Sequence, residues 1–210
     1  MMDKYLYYGN LGKVEEQYTI PNFIGLALFP NHDREIKHDA KDKLPFSSGT
    51  IKKIQSQDVF EHLPVECLPI VFDDIYDVLC DEGVFRLSLP DYRSPHLKQR
   101  SIYNACGEII ADLLPALRES VTYDETAQKI SRVSKEGHLW FPKYEIVLDL
   151  IVKSNIRFCK NIVFYQGFKD DSNYVLTPIP ENGMYVKRCY PNDPRCSNKQ
   201  PLSLVFDFIK

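Results

Sequence analysis

Short β-prone runs separated by turn-forming residues organise the first part of the chain. Residues 5–8 (Tyr-Leu-Tyr-Tyr) stop at Gly9, and the apolar run 22–28 closes at Pro30. Residues 35–38 form a weaker run, residues 51–56 a fourth with Ile51 and Ile54 as its apolar positions, and residues 84–89 a fifth that ends at Pro90. Between the fourth and fifth runs, Leu68, Val71, Phe72, Ile75, Val78 and Leu79 recur at steps of three and four. That spacing predicts an amphipathic helix with Asp73, Asp74 and Asp77 on its far side, and Gly83 ending the connection. Short strands with helices between some of them predict an α/β domain built on a mostly parallel sheet covered by helices.

The pattern changes after Asp91. Residues 102–117 read as a helix with Ile109, Ile110, Leu113 and Leu117 on one face, and the polar stretch 119–137 reads as a surface excursion or lid. Residues 92–142 are therefore expected to be an insertion or lid within a single domain spanning 1–210. Residues 144–152 read as a second strong helix, 161–165 as a sixth strand, and 167–183, punctuated by glycine and proline, as a loop. Residues 184–189 and 202–209 read as late strands. No internal repeat and no low-complexity tract is present.

Composition narrows the function classes. Apolar residues make up 44% of the chain and charged residues 26%, an ordinary globular mixture. The formal net charge of -3 argues against a phosphate-binding face, and the thirteen tyrosines and twelve phenylalanines are not interleaved with a Lys/Arg cluster, so no nucleic-acid partner is expected. No apolar run approaches the roughly 20 residues of a membrane span, and the start Met1-Met2-Asp3-Lys4-Tyr5 lacks the apolar region of a signal peptide. The six cysteines (67, 80, 106, 159, 189 and 196) are scattered without a C-x-x-C pair, which points to reduced thiols in the cytoplasm. Cys189 and Cys196 could be bridged only if the loop between them turned back. The five histidines show no ligand spacing, so no metal site is expected.

The centre of the chain carries a family resemblance. Ser56-Gln57-Asp58-Val59-Phe60-Glu61-His62-Leu63-Pro64 is followed, after the helix, by Val78-Leu79-Cys80-Asp81-Glu82-Gly83-Val84-Phe85-Arg86-Leu87-Ser88-Leu89-Pro90-Asp91. This resembles the S-x-x-V-x-E-H-L … V-L-K-P-G-G-x-x-R-I-S-V-P-D signature of class I S-adenosylmethionine (SAM) methyltransferases, and especially the small ones of polysaccharide and lipopolysaccharide biosynthesis clusters. His38-Asp39-Ala40 with Leu44-Pro45-Phe46 is similar to the segment preceding strand four in that family. Asn192-Asp193-Pro194-Arg195 with the run from Pro201 to Asp207 is similar to its C-terminal strand. The resemblance implies a Rossmann-like fold with an antiparallel last strand, SAM as cofactor, a small-molecule or sugar acceptor, and leaves a homodimer open. The G-x-G-x-x-G fingerprint of a NAD enzyme is missing.

In the family, the turn after strand one reads roughly L-G-C-G, an acid ends strand two and holds the ribose, and a polar or acidic residue after strand three contacts adenine. Here the turn is Tyr8-Gly9-Asn10-Leu11-Gly12, with Leu11 where a second glycine is expected, and Ala27 stands at the ribose position before Leu28. Asp39 is kept. The resemblance thus implies a cofactor site formed by Tyr8, Gly9, Asn10, Gly12, Leu28, Asp39, Ala40, Gln57, Asp58 and His62, with binding weakened or lost. Each has a plainer alternative: a simple turn for Gly9 and Gly12, a solvated loop acid for Asp39, a helix N-cap for Asp58, and a helix-terminus pair for Glu61 and His62. Asp91, Tyr92 and His96 follow strand five, where substrate is expected, and one of them could serve as general base. His138 is a further catalytic candidate. With Trp140 it could line an acceptor pocket, against the alternative of aromatics packed at a helix entry. Methyl transfer can also proceed by positioning alone.

Overall fold

The computed structural model describes residues 3–113, 121–124, 129–132, 137–196 and 198–210. An eight-stranded sheet organises the chain. Its strands are β1 (Lys4–Tyr8), β2 (Phe23–Ala27), β3 (Glu35–Lys37), β4 (Ile51–Gln57), β5 (Leu79–Pro90), β10 (Asn161–Phe168), β11 (Tyr174–Leu176) and β12 (Ser203–Ile209). They lie in the order β11-β10-β12-β5-β4-β1-β2-β3. Strands β3, β2, β1, β4 and β5 are parallel, β12 runs antiparallel between β5 and β10, and β11 is antiparallel to β10. The five N-terminal strands sit where the apolar runs predict them. Residues 167–183, expected to be loop throughout, supply the short edge strand β11.

One face carries the helices. The predicted helix forms as α1 (Leu68–Val78) and its apolar stripe is buried. It packs with α3 (Tyr144–Val152) over alternate residues of the sheet: Leu6 and Tyr8, Ile54, Phe85, Leu87 and Leu89, and Leu204, Phe206 and Phe208. Phe85 and Phe208 stack with ring centroids 5.5 Å apart, under the tilted ring of Phe72. The sequence reading ended the helical connection at Gly83. In the structure β5 begins at Leu79 and runs through Gly83, where a Cβ would meet the Cys80 carbonyl oxygen at 2.7 Å. That close approach, at a shift in the β4–β5 register, explains the glycine.

The opposite face departs from the expectation of a helix-covered sheet. Among the described residues it is covered by irregular chain: residues 10–20, holding only a 3-10 turn at Glu16–Thr19, and residues 178–192. The late strand expected at 184–189 does not form. Met184 and Val186 are buried and Tyr185 and Lys187 exposed, so the alternation is real. Side chains of the sheet and of the Glu16–Thr19 turn, however, take the place of a partner strand. Gln17 and Gln55 donate to the Tyr185 carbonyl at 2.6 and 2.7 Å, and Arg86 donates to the Met184 carbonyl at 2.5 Å. Arg86 is wholly buried and grips the Asp207 carboxylate through two bonds of 2.6 and 2.7 Å. The six cysteines are free; Cys67 precedes α1 and Cys80 lies on β5.

The helix expected over 102–117 does not form over residues 102–112. Residues 101–112 make a hairpin of β6 (Ser101–Tyr103) and β7 (Ile109–Asp112), after the four-residue helix α2 (Pro95–Lys98). Asn104 accepts the amides of Cys106 and Glu108, and Gly107 takes φ +79 in the turn. Leu117 lies outside the described residues. Within 119–137, β8 (Val121–Asp124) and β9 (Lys129–Arg132) pair antiparallel.

Candidate functional site

The strand order turns back between β1 and β4, since β2 and β3 lie to one side of β1 and β4 and β5 to the other. In an open α/β sheet the crevice outside the strand ends at such a junction is the place for a ligand. Two segments leave the sheet there. Gly9–Gly12 follows β1, and Asp58–His62 follows β4.

The turn after β1 is bent onto the sheet. Gly9 takes φ +104, which L side chains rarely adopt, and its amide donates to the Leu26 carbonyl at 2.8 Å. Leu11 then inserts into the core beside Tyr7, Phe23 and Met184. Its amide donates to Glu35 Oε1 at 2.6 Å, while Asn31 N–H and the Asn10 side chain donate to Oε2 at 2.6 and 3.2 Å. Gly25 makes room for this: a Cβ there would sit 2.8 Å from Glu35 Cγ and 3.1 Å from Leu11 Cβ. Leu11 is thus a core residue, and its amide, one of those that could face a cofactor carboxylate, is committed to Glu35. Gly12 is half-buried beyond it.

The remaining cofactor candidates are distributed unevenly. Tyr8 is buried edge-on against Phe60 at 4.9 Å and offers no open face. Ala27 is buried and Leu28 is exposed, so neither supplies a polar group at the end of β2. Asp39 accepts the Lys41 amide at 3.0 Å beside half-buried Ala40, and remains partly exposed. Gln57 accepts the Lys187 amide at 2.7 Å, and Asp58, held at φ +53, pairs with Arg188 at 3.0 Å. Both partners come from the irregular 184–189 segment, and no sequence motif signalled their arrival. His38 Nε2 and Asp58 Oδ1 are buried without a hydrogen-bond partner. The fit to SAM is therefore partial. Unsatisfied polar atoms at the ends of β3 and β4 suit a polar ligand, whereas the turn after β1 is already satisfied by protein.

Beyond β5 the catalytic candidates separate. Asp91 is buried and accepts the amides of Phe168 and Arg93 at 2.6 and 2.9 Å. Burial pushes its carboxyl up to about 6, against those two amides and the Arg93 guanidinium. A group raised in the folded state stabilises fully below its unfolded value of about 3.9, and that contribution is lost as pH rises through about 6. Asp91→Asn, which cannot ionise, is expected to compare more favourably with the wild type at pH 7 than at pH 4. Thermal denaturation across that range tests this, and a difference independent of pH would refute it. His96 sits on α2, its imidazole held below the usual range by burial and by Arg195, Arg100 and Arg188.

His138 reaches across to Glu61 and His62. The segment carrying it is pinned to the Phe60–His62 turn at three points. Leu139 N–H donates to the Glu61 carbonyl at 2.8 Å, Trp140 Nε1 donates to the Phe60 carbonyl at 2.9 Å, and His62 Nδ1 lies 3.1 Å from the Gly137 carbonyl. Trp140 is thereby a packed core aromatic. The His62 and His138 rings meet edge to face, with centroids 4.8 Å apart. His138 Nε2 and His62 Nε2 lie 3.7 and 3.9 Å from Glu61 Oε1. Behind His138, Nδ1 is 2.5 Å from the Tyr92 hydroxyl, which donates to Asp112, itself paired with Arg100 at 2.8 Å. Glu61 is wholly buried, and burial and the neighbouring Asp58 push its carboxyl well above the usual range.

No known family's model matches this chain, and no curated protein is significantly similar to it in sequence. Solved structures do match. A SAM-dependent methyltransferase from Thermotoga maritima, described as a possible histamine N-methyltransferase, shares 13% identity over 100% of this chain and 83% of its own, with a TM-score of 0.52. A SAM-dependent methyltransferase from Archaeoglobus fulgidus shares 14% identity over 99% of this chain and 86% of its own, TM-score 0.51. One from Methanosarcina mazei shares 10% identity over 99% of this chain and 92% of its own, TM-score 0.50. At these identities the likeness speaks for the fold: a Rossmann-like, class I methyltransferase-type sheet with an antiparallel β12.

Proposed function

We propose that this chain is a SAM-dependent methyltransferase of weakened cofactor affinity, acting on an oxygen or nitrogen of a small-molecule or saccharide acceptor in the cytoplasm. The observation that supports the reading is the reversal of strand order between β1 and β4 in this fold, with the Gly9 turn following β1 and the half-satisfied Asp58 following β4. SAM, when bound, supplies an electrophilic methyl group on a sulfonium. The residues of this chain would hold it unequally. Asp39 and Asp58 offer carboxylates on the nucleoside side, while Ala27 and the Glu35-bound Leu11 amide withhold two contacts. Each lost charge-assisted bond costs about 1.5–3 kcal/mol, so affinity in roughly the high-micromolar to millimolar range is expected. Asp91, His96 or His138 would take the proton from the acceptor.

A second reading, a methyltransferase-like domain that has lost the cofactor and binds a partner or a sugar, is favoured by the Glu35 carboxylate occupying the turn. Isothermal titration with SAM and with S-adenosylhomocysteine separates the two. Weak saturable binding, reduced about tenfold by Asp39→Ala, supports the enzyme. Absence of binding at millimolar cofactor sinks it and leaves the second reading. Equal affinity of wild type and Asp39→Ala would move the pocket elsewhere.

A further inference from the structure

Glu61 presents an unusual account of charge. Its carboxylate is wholly buried, and neither oxygen has a hydrogen-bond partner. The other carboxylates around it are already compensated: Asp58 by Arg188 and Asp112 by Arg100. A buried carboxyl takes up a proton, pairs with a cation or coordinates a metal. The groups turned toward Glu61 are two imidazoles, each engaged on its Nδ1 side, His62 by the Gly137 carbonyl and His138 by the Tyr92 hydroxyl. That is the arrangement in which outer partners orient a histidine so that Nε2 faces an ion.

We propose that Glu61, His62 and His138 form a binding site for one first-row transition-metal ion, of the zinc or cobalt type. The three donor atoms lie within 4.8 Å of one another. Donors at about 2.1 Å from a tetrahedral ion are about 3.4 Å apart, so the 3.7 and 3.9 Å spacings to Glu61, within a donor set that spans up to 4.8 Å, must close by inward rotation of the rings. Two imidazoles and one carboxylate suit zinc, cobalt or nickel and not magnesium or calcium, which take all-oxygen sites. Three protein ligands leave a position open. It opens toward solvent on the His62 side, whose side chain is 43% exposed. The spacing of histidines along the chain gave no hint of this, because the ligands come from an adjacent pair and a third residue that the fold returns to them.

The site shares His138 with the methyl-transfer reading, where a metal-bound imidazole would no longer serve as base, but its test uses no SAM. The full-length protein, stripped with chelator, is titrated with cobalt chloride and followed by visible absorption, with zinc chloride as competitor and magnesium chloride as control. One equivalent of cobalt per chain is expected, with ligand-field bands, no thiolate charge-transfer band, and displacement by zinc but not by magnesium. His62→Ala and Glu61→Gln are each expected to weaken binding at least about a hundredfold, and Tyr92→Phe, which removes only the hydroxyl behind His138, about tenfold. His62 is partly exposed, so its variant is the one to rely on for folding, checked by circular dichroism. Any of three results overturns the proposal: no stoichiometric cobalt uptake, a thiolate band placing the ion on cysteine, or uptake by folded His62→Ala equal to that of the wild type.

Discussion

Asp207→Ala is expected to lower the unfolding free energy by about 3–5 kcal/mol, a large fraction of the stability of a domain of this kind. Asp207 lies on the helix-free face of β12 and takes two bonds from Arg86, directly opposite it on β5. Both side chains are buried, so removing the carboxylate leaves a guanidinium without its counter-charge inside the protein. Arg86 also donates to the Pro180 and Met184 carbonyls and thereby fastens the 178–192 segment, which delivers Arg188 to Asp58. The double variant Arg86→Met, Asp207→Leu is expected to lose less than Asp207→Ala, because no charge is stranded, though it still orphans the Met184 carbonyl. Urea denaturation of the three proteins measures this. A loss below about 1 kcal/mol for Asp207→Ala would mean that the pair is effectively solvated.

The same face shows where sequence reasoning reached its limit. The five parallel strands and α1 were legible because each is a local pattern: an apolar run with a stop, or apolar residues at helical steps. The alternation at 184–189 was also real, but it reports burial on one side and says nothing about what satisfies the backbone. Here Gln17, Gln55 and Arg86 do so in place of a neighbouring strand. The hairpin of β6 and β7 was missed for a different reason. Ile109, Ile110 and Leu113 happen to fall at helical spacing, and that pattern hides the turn that Asn104 and Gly107 make. At the candidate site, the sequence offers Glu61 and His62 as an adjacent pair and His138 as a separate candidate. Their meeting depends on residues 137–140 being zipped onto the Phe60–His62 turn, a tertiary contact that no local period encodes. Glu35 was read only as part of a weak strand, and nothing in its neighbourhood along the chain announces that it closes the turn after β1.

Glu35→Ala is expected to cost about 3 kcal/mol, from the buried amide of Leu11 and the part-buried amide of Asn31, each losing a charge-assisted acceptor at about 1.5 kcal/mol. Burial alone would raise the Glu35 carboxyl, but the bonds from Asn31, Asn10 and Leu11 and the nearby His32 outweigh it, and the net shift is downward. A carboxyl lowered in the folded state contributes stability above its unfolded value of about 4.3, and that contribution is lost as pH falls through the folded value. The gap between wild type and Glu35→Ala is therefore expected to be full at pH 7 and to close as the solution is acidified below about pH 4. Glu35→Gln should fall between them, since an amide keeps one acceptor oxygen but turns a donor toward one of the two backbone N–H groups. Chemical denaturation at a series of pH values decides the matter. A gap that stays constant to pH 3 would show that packing of Leu11 against Gly25, and not the carboxylate, holds the turn. The outcome bears on function as well. If the charge holds the turn, the chain has substituted an internal anion for the carboxylate that a cofactor would bring to the same amide, which is the physical reason to expect weak SAM binding.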